Sequence, residues 1–186
     1  VPSGRCVSAD GEIPGPLKAL ATPGHAVHHI SYLGAAGLFV GEAGGVRLDL
    51  PGGGVYLRPA TPPRFFPEVY LNSLSLVQSE AEGWAGDAAR RQILYGHFGA
   101  TDDPAWLVNH TAQIEFWMAV VTEEWEAAGR ETGAAVAESC LKRLLAEDAH
   151  LGGYEEMDPD TRERERGFLL NSIRGMLGYL ASRDRK

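Results

Sequence analysis

Residues 22–40 read Thr22-Pro23-Gly24-His25-Ala26-Val27-His28-His29-Ile30-Ser31-Tyr32-Leu33-Gly34-Ala35-Ala36-Gly37-Leu38-Phe39-Val40, and the fold turns on whether they wind into a helix or extend into strands. Thr22 followed by Pro23 is a helix-start signature: a threonine hydroxyl can accept a free N–H, and proline in the first turn has no N–H to leave unpaired. Val27, Ile30, Leu33 and Leu38 then follow at helical intervals. Against this, the β-branched and aromatic run His28-His29-Ile30-Ser31-Tyr32 favours a strand. Gly34 and Gly37 each weaken an exposed helix interior by about 1 kcal/mol. The helix, ending near Val40, is carried forward with the strand as its competitor.

Downstream, Gly41 to Pro67 is too densely punctuated by glycine and proline for a long helix. The alternating runs Val46-Arg47-Leu48-Asp49-Leu50 and Val55-Tyr56-Leu57 can pair as a short hairpin, but two strands alone are marginal, so a loop lying on helices is preferred. After Asn72 the helical signal strengthens. Leu74, Val77, Ala81 and Trp84 recur at three and four residues, and a further pattern runs through Ala88, Ile93 and Leu94 to His97. Asp102 or Asp103 before Pro104 starts the next helix, which carries Trp106, His110, Ile114, Trp117, Val121 and Trp125 on one face. Ala137, Cys140, Leu141, Leu144 and Leu145 form another apolar stripe. Asp158-Pro159 starts a last helix, with Leu169, Ile173, Met176, Leu177 and Leu180 on one side and the solvated run Arg162 to Arg166 on the other. The expected fold is all-α: residues 1–15 a flexible lead-in, 16–186 a single helical bundle crossed by a Gly/Pro-rich loop or short hairpin.

The 186 residues suffice for one core, and 44% hydrophobic with 23% charged residues is ordinary globular composition. A net charge of -8 disfavours nucleic acid or an anionic membrane as partner, since either calls for a basic face. No apolar run approaches the roughly 20 residues of a membrane helix. The two distant cysteines, Cys6 and Cys140, make neither a disulfide framework nor a zinc half-site. A cytoplasmic location is expected.

Candidate chemistry is sparse. His25, His28 and His29 form HxxHH, which on a helix would put His25 and His29 on one face at metal-pair spacing, but no acid or third histidine is evident to complete the set. Glu147-Asp148-Ala149-His150 has the spacing of a di-iron motif without a second copy; Glu115, Glu123 and Glu124 are unattached acids. No GxSxG, HExxH, phosphate-binding or dinucleotide fingerprint is present. The aromatics Trp84, Tyr95, Phe98, Trp106, Phe116, Trp117 and Trp125 crowd the middle of the chain as core or as anchors of a peptide groove.

In order, the motifs resemble those of the TorD/NarJ-type redox-enzyme maturation chaperones. Leu38-Phe39-Val40-Gly41 is similar to their LFxG, and Pro51 to Leu57, or its rival Pro67 to Leu71, to their PYESVYL. Tyr95 to Gly99 is similar to their YxxxG. Asn109-His110 with Gln113-Ile114-Glu115-Phe116-Trp117 is similar to their DH and ELEFM, with Asn in place of Asp and the pair one residue out of step. The resemblance implies a cytoplasmic, cofactor-free, non-enzymatic chaperone that binds the catalytic subunit, or the twin-arginine leader peptide, of a molybdopterin-dependent oxidoreductase. Glu115, Asp102 or Asp103 would face the arginines, Trp106 and Tyr56 would pack on the apolar part, and Asn109 and His110 would tie loop to helix or touch the peptide. The long loop would also permit exchange of segments in a homodimer. The alternative is a metal-dependent helical-bundle enzyme using His25, His29, His97, His110 or His150. A third reading is a small-molecule-binding or adaptor bundle.

Overall fold

The computed structural model describes residues 17–35, 37–83, 92–97 and 99–184, and in it Ile30–Gly34 and Gly37–Gly41 are strands, with bends and a turn at residues 24–28 before them. Strands β1 (Lys18–Ala21), β2 (Ile30–Gly34) and β3 (Gly37–Gly41) form an antiparallel meander, with Lys18 opposite Leu33 and Tyr32 opposite Phe39. Period two prevails over period 3.6: Leu38 and Val40 are buried, while Phe39 between them is 40% exposed. Thr22 caps no helix. Its buried hydroxyl lies 2.8 Å from His29 Nδ1 and 2.9 Å from Ser31 Oγ. Gly37 has a φ of 147°, and a Cβ there would stand 2.0 Å from the carbonyl oxygen of Gln92. A glycine that only weakened a helix is here a close approach of two strands that a side chain would block.

That second strand corrects another expectation. Gln92–Tyr95 is β6, parallel to β3, and not the end of a helix from Ala88; Ala88 and Trp84 lie outside the described residues, as does the 1–15 lead-in. β7 (Ala100–Thr101) pairs antiparallel with β6, which completes a mixed sheet in the order β1-β2-β3-β6-β7. Parallel pairing needs a long crossover. Here it contains the hairpin of β4 (Val46–Asp49) and β5 (Val55–Arg58), then α1 (Pro67–Glu82). The Gly/Pro-rich segment is therefore an ordered hairpin over Val46–Arg58, and the all-α bundle is replaced by an α/β architecture.

The helices are largely where their periodicity puts them. On α1, Tyr70, Leu74, Val77 and Ala81 face inward. α2 (Ala105–Ala127) buries Leu107, His110, Ile114, Trp117, Val121 and Trp125, with Trp106 half-buried at its start. α3 (Ala134–Glu147) buries Cys140, Leu141 and Leu144, and α4 (Pro159–Asp184) buries Leu169, Ile173, Met176, Leu177 and Leu180. One charge of the expected solvated face goes inward. Glu165 is 4% exposed and pairs with Arg58 of β5, which is 5% exposed, while Tyr56 donates to the same carboxylate at 3.2 Å. Removing two charges from water is costly, so this pair stands only because each partner is hydrogen-bonded; it fixes α4 to the hairpin. Further along, a Cβ on Gly175 would stand 2.3 Å from the Pro62 carbonyl oxygen, so glycine lets α4 press against the proline-rich segment after β5. No helix among the described residues is long and apolar enough to cross a membrane.

Candidate functional site

β1 and β3 are both antiparallel to β2, and β6 is parallel to β3, so β1, β3 and β6 all point the same way. The segments leaving their C-terminal ends consequently meet at one sheet edge, where crevices between strands collect ligands. The segments bring together His25 after β1, Glu42 after β3 and His97 after β6. A hydrogen bond from the Gly96 N–H to the Gly41 carbonyl, 3.2 Å, holds the second and third exits together.

Glu42 stands between the two histidines. Its Oε2 is 2.9 Å from His25 Nε2 and its Oε1 is 3.0 Å from His97 Nε2. His25 Nδ1 lies 2.7 Å from the Ala60 carbonyl oxygen, which can only accept, so Nδ1 carries the proton. Nε2 then turns a lone pair toward the carboxylate oxygen, an arrangement that needs a proton or a metal cation between the two. Among the described residues no group of three or more His, Cys, Asp or Glu side chains stands ready at the spacing of a bound ion; the two imidazoles reach the carboxylate itself.

The backbone of Glu42 is held from both sides. Its N–H donates to His29 Nε2 at 3.2 Å, which leaves the His29 Nδ1–H for Thr22 Oγ1; the Thr22 hydroxyl then serves Ser31, and Ser31 donates to the Val40 carbonyl at 3.2 Å. Every proton in this chain is assigned with His29 neutral. Burial, reinforced by the nearby His25, lowers the His29 pKa below its ordinary value and keeps it so. On the other side the Tyr70 hydroxyl donates to the Glu42 carbonyl at 2.9 Å and lies 3.1 Å from His110 Nε2. Both Gln113 amide protons are committed, to the Leu57 carbonyl and to Asp148, so its oxygen accepts the His110 Nδ1–H at 3.1 Å. Burial holds the His110 pKa down to about 4, and the ring is neutral near pH 7.

The donors open on a cavity of about 610 Å³, whose other walls come from β4, the segment after β5, and α4. This size suits a small-molecule site.

The residues expected to bind a peptide are dispersed. Tyr56 is fully buried beneath α4, and His110 is fully buried behind Glu42. Asp102 is exposed, Asp103 accepts the Ala105 N–H at the start of α2, and Glu115 is exposed on that helix. Trp106 packs between the Arg47 guanidinium and the His150 ring, while Asn109 lines a smaller cavity of about 250 Å³ with His150. Of the five histidines in the metal alternative, the fold brings His25 and His97 together, uses His29 and His110 as supports, and leaves His150 with Trp106. They meet on a sheet edge, not inside a helical bundle. Glu42 went unnoticed, although a signal exists. Leu38-Phe39-Val40-Gly41-Glu42 and Ile93-Leu94-Tyr95-Gly96-His97 share one pattern: three apolar residues, a glycine, then a donor.

The fold is similar to that of a solved metallo-β-lactamase superfamily protein. An archaeal member from Sulfolobus tokodaii superposes on 86% of this chain with a TM-score of 0.51 at 21% identity, and a family protein from Thermus thermophilus on 90% with 0.46 at 19%. The chain spans 45% and 44% of those two proteins' lengths. No family model and no curated protein matches the chain. The likeness overturns the resemblance to TorD/NarJ-type chaperones, whose short motifs fall here on β3, the hairpin, β6 and α2 of a different fold. With it goes the expectation of a non-enzymatic redox-maturation chaperone.

Proposed function

We propose that His25, Glu42 and His97 are ligands of a divalent metal in a hydrolytic centre at this sheet edge. The observation that carries the reading is that the two oxygens of one carboxylate each meet an imidazole Nε2, one of these rings having its Nδ1–H fixed on a backbone carbonyl. A metal-ligating histidine is held in that way, its second nitrogen donating to a carbonyl so that the first keeps its lone pair outward. Two imidazoles and a carboxylate suit zinc, which accepts nitrogen and oxygen donors in an open site. An ion lying between them would take the place of the two direct contacts and supply the positive charge that the His25–Glu42 geometry requires. The similarity to metallo-β-lactamase superfamily proteins supports the same chemistry.

A metal held there would polarise a scissile carbonyl or phosphoryl group and acidify water near neutral pH. The chain's own part is to hold the donors. Ala60 sets the His25 tautomer, while His29 and Tyr70 fix the Glu42 peptide from either side. His97, its side chain 48% exposed, sits where the site meets solvent. Remaining coordination positions fall to water, substrate or donors beyond the described residues.

Titration of chelator-treated protein with Zn2+ tests the reading. Wild type should bind with defined stoichiometry, and His25→Ala, Glu42→Gln or His97→Ala should each weaken binding by about a hundredfold or more. Equal zinc affinity in wild type and the triple variant would sink it.

A further inference from the structure

The cavity wall contributed by α4 and the segment after β5 is unlike the rest of the surface. Arg164, Phe168 and Asn171 recur at four and three residues on one stripe of α4, and all line the cavity. Phe168 is 44% exposed, a large apolar side chain left open where Pro62 and Pro63 supply further apolar surface. Arg164 is exposed and forms no ion pair or hydrogen bond among the described residues, whereas Arg58, with its guanidinium carbon 4.7 Å from the Phe168 ring centroid, is neutralised by Glu165. In a chain of net charge -8 the wall thus keeps one uncompensated cation.

From these features we infer that this wall recognises a small organic anion with an apolar body, the body lying on Phe168 and the prolines and the anion held by Arg164. The inference rests on the metal-centre reading only in assigning the opposite wall to the reacting group. Substrates of the class would be acyl or aryl compounds carrying a carboxylate, sulfonate or phosphate away from the bond that breaks. The guanidinium selects for charge, because a neutral analogue leaves Arg164 without its charge-assisted bond. The apolar wall selects for a flat or aliphatic body.

Binding of naphthalene-2-carboxylate and of neutral naphthalene-2-carboxamide, followed by fluorescence on metal-free protein, tests the inference. Wild type should prefer the carboxylate by about tenfold, the ratio expected of one charge-assisted hydrogen bond. Arg164→Gln should abolish the preference, Arg164→Lys should keep most of it, and Phe168→Ala should weaken both probes alike. Equal binding of the two probes by wild type would overturn the inference, as would a preference that survives Arg164→Gln. A preference that appears only when zinc is restored, and ignores Arg164, would assign the anion to the metal donors: that result overturns the role of this wall and leaves the metal reading standing.

Discussion

His110 lies in the core between Tyr70 and Gln113, and its environment writes a pH dependence into the fold. Its folded pKa of about 4 lies below the ordinary 6.5, so between those values the unfolded chain binds the extra proton and the folded one does not. Stability is thus full above about pH 6.5, falls as pH drops toward 4, and stops falling on this account below it. A gap of about two and a half pH units corresponds to about 3 kcal/mol. His29, also shifted down, adds to the loss in the same direction. Urea unfolding at pH 7 and pH 5 should show a markedly smaller drop in His110→Gln than in wild type; equal drops would show that the ring is not held neutral. Little of this could be read from residue types. His110 was singled out by its place beside Asn109 in a motif, and its burial was foreseen only as one member of an apolar stripe. Besides Gln113 on the same helix, its partner is Tyr70, 40 residues away on α1 and itself tied to the Glu42 carbonyl.

Between elements, the decisive contact is the buried pair of Arg58 on β5 and Glu165 on α4. Glu165→Gln leaves Arg58 buried with its charge unmatched, and should cost about 3–5 kcal/mol in the free energy of chemical unfolding. The double replacement Arg58→Met with Glu165→Leu removes both charges and should recover most of that loss. A single variant as stable as wild type would mean that water reaches the pair freely. Helices were legible because α1, α2, α3 and α4 each carry several turns of apolar residues at periods that few other structures produce. Strands β1, β2, β3 and β6 span four or five residues each, too few for period two to be separated from a fragment of helix. Thr22-Pro23 added a false helix start, since a threonine with a buried hydroxyl partner looks in sequence like one that caps. The Arg-Glu run of α4 looked solvated, and the inward turn of Glu165 depends on Arg58, 107 residues away.

Across the whole molecule, the proposed site follows from the direction of three strands. HxxHH suggested a metal pair on one helix face, but the fold separates its members: His25 enters the site, and His29 turns back to support the Glu42 peptide. The third donor, His97, is 55 residues from Glu42 and arrives only because β6 is parallel to β3. Parallel pairing across a hairpin and a helix leaves no local mark, so the site could be named in parts and not assembled. The central claim is that these three side chains bind one metal. X-ray absorption at the zinc edge of the zinc-loaded protein tests it directly. The account predicts two imidazole nitrogens at about 2.0–2.1 Å and carboxylate oxygen at about 2.0–2.2 Å, with one imidazole lost in His25→Ala and the other in His97→Ala. A spectrum of oxygen scatterers alone, or one unchanged by either substitution, would contradict it.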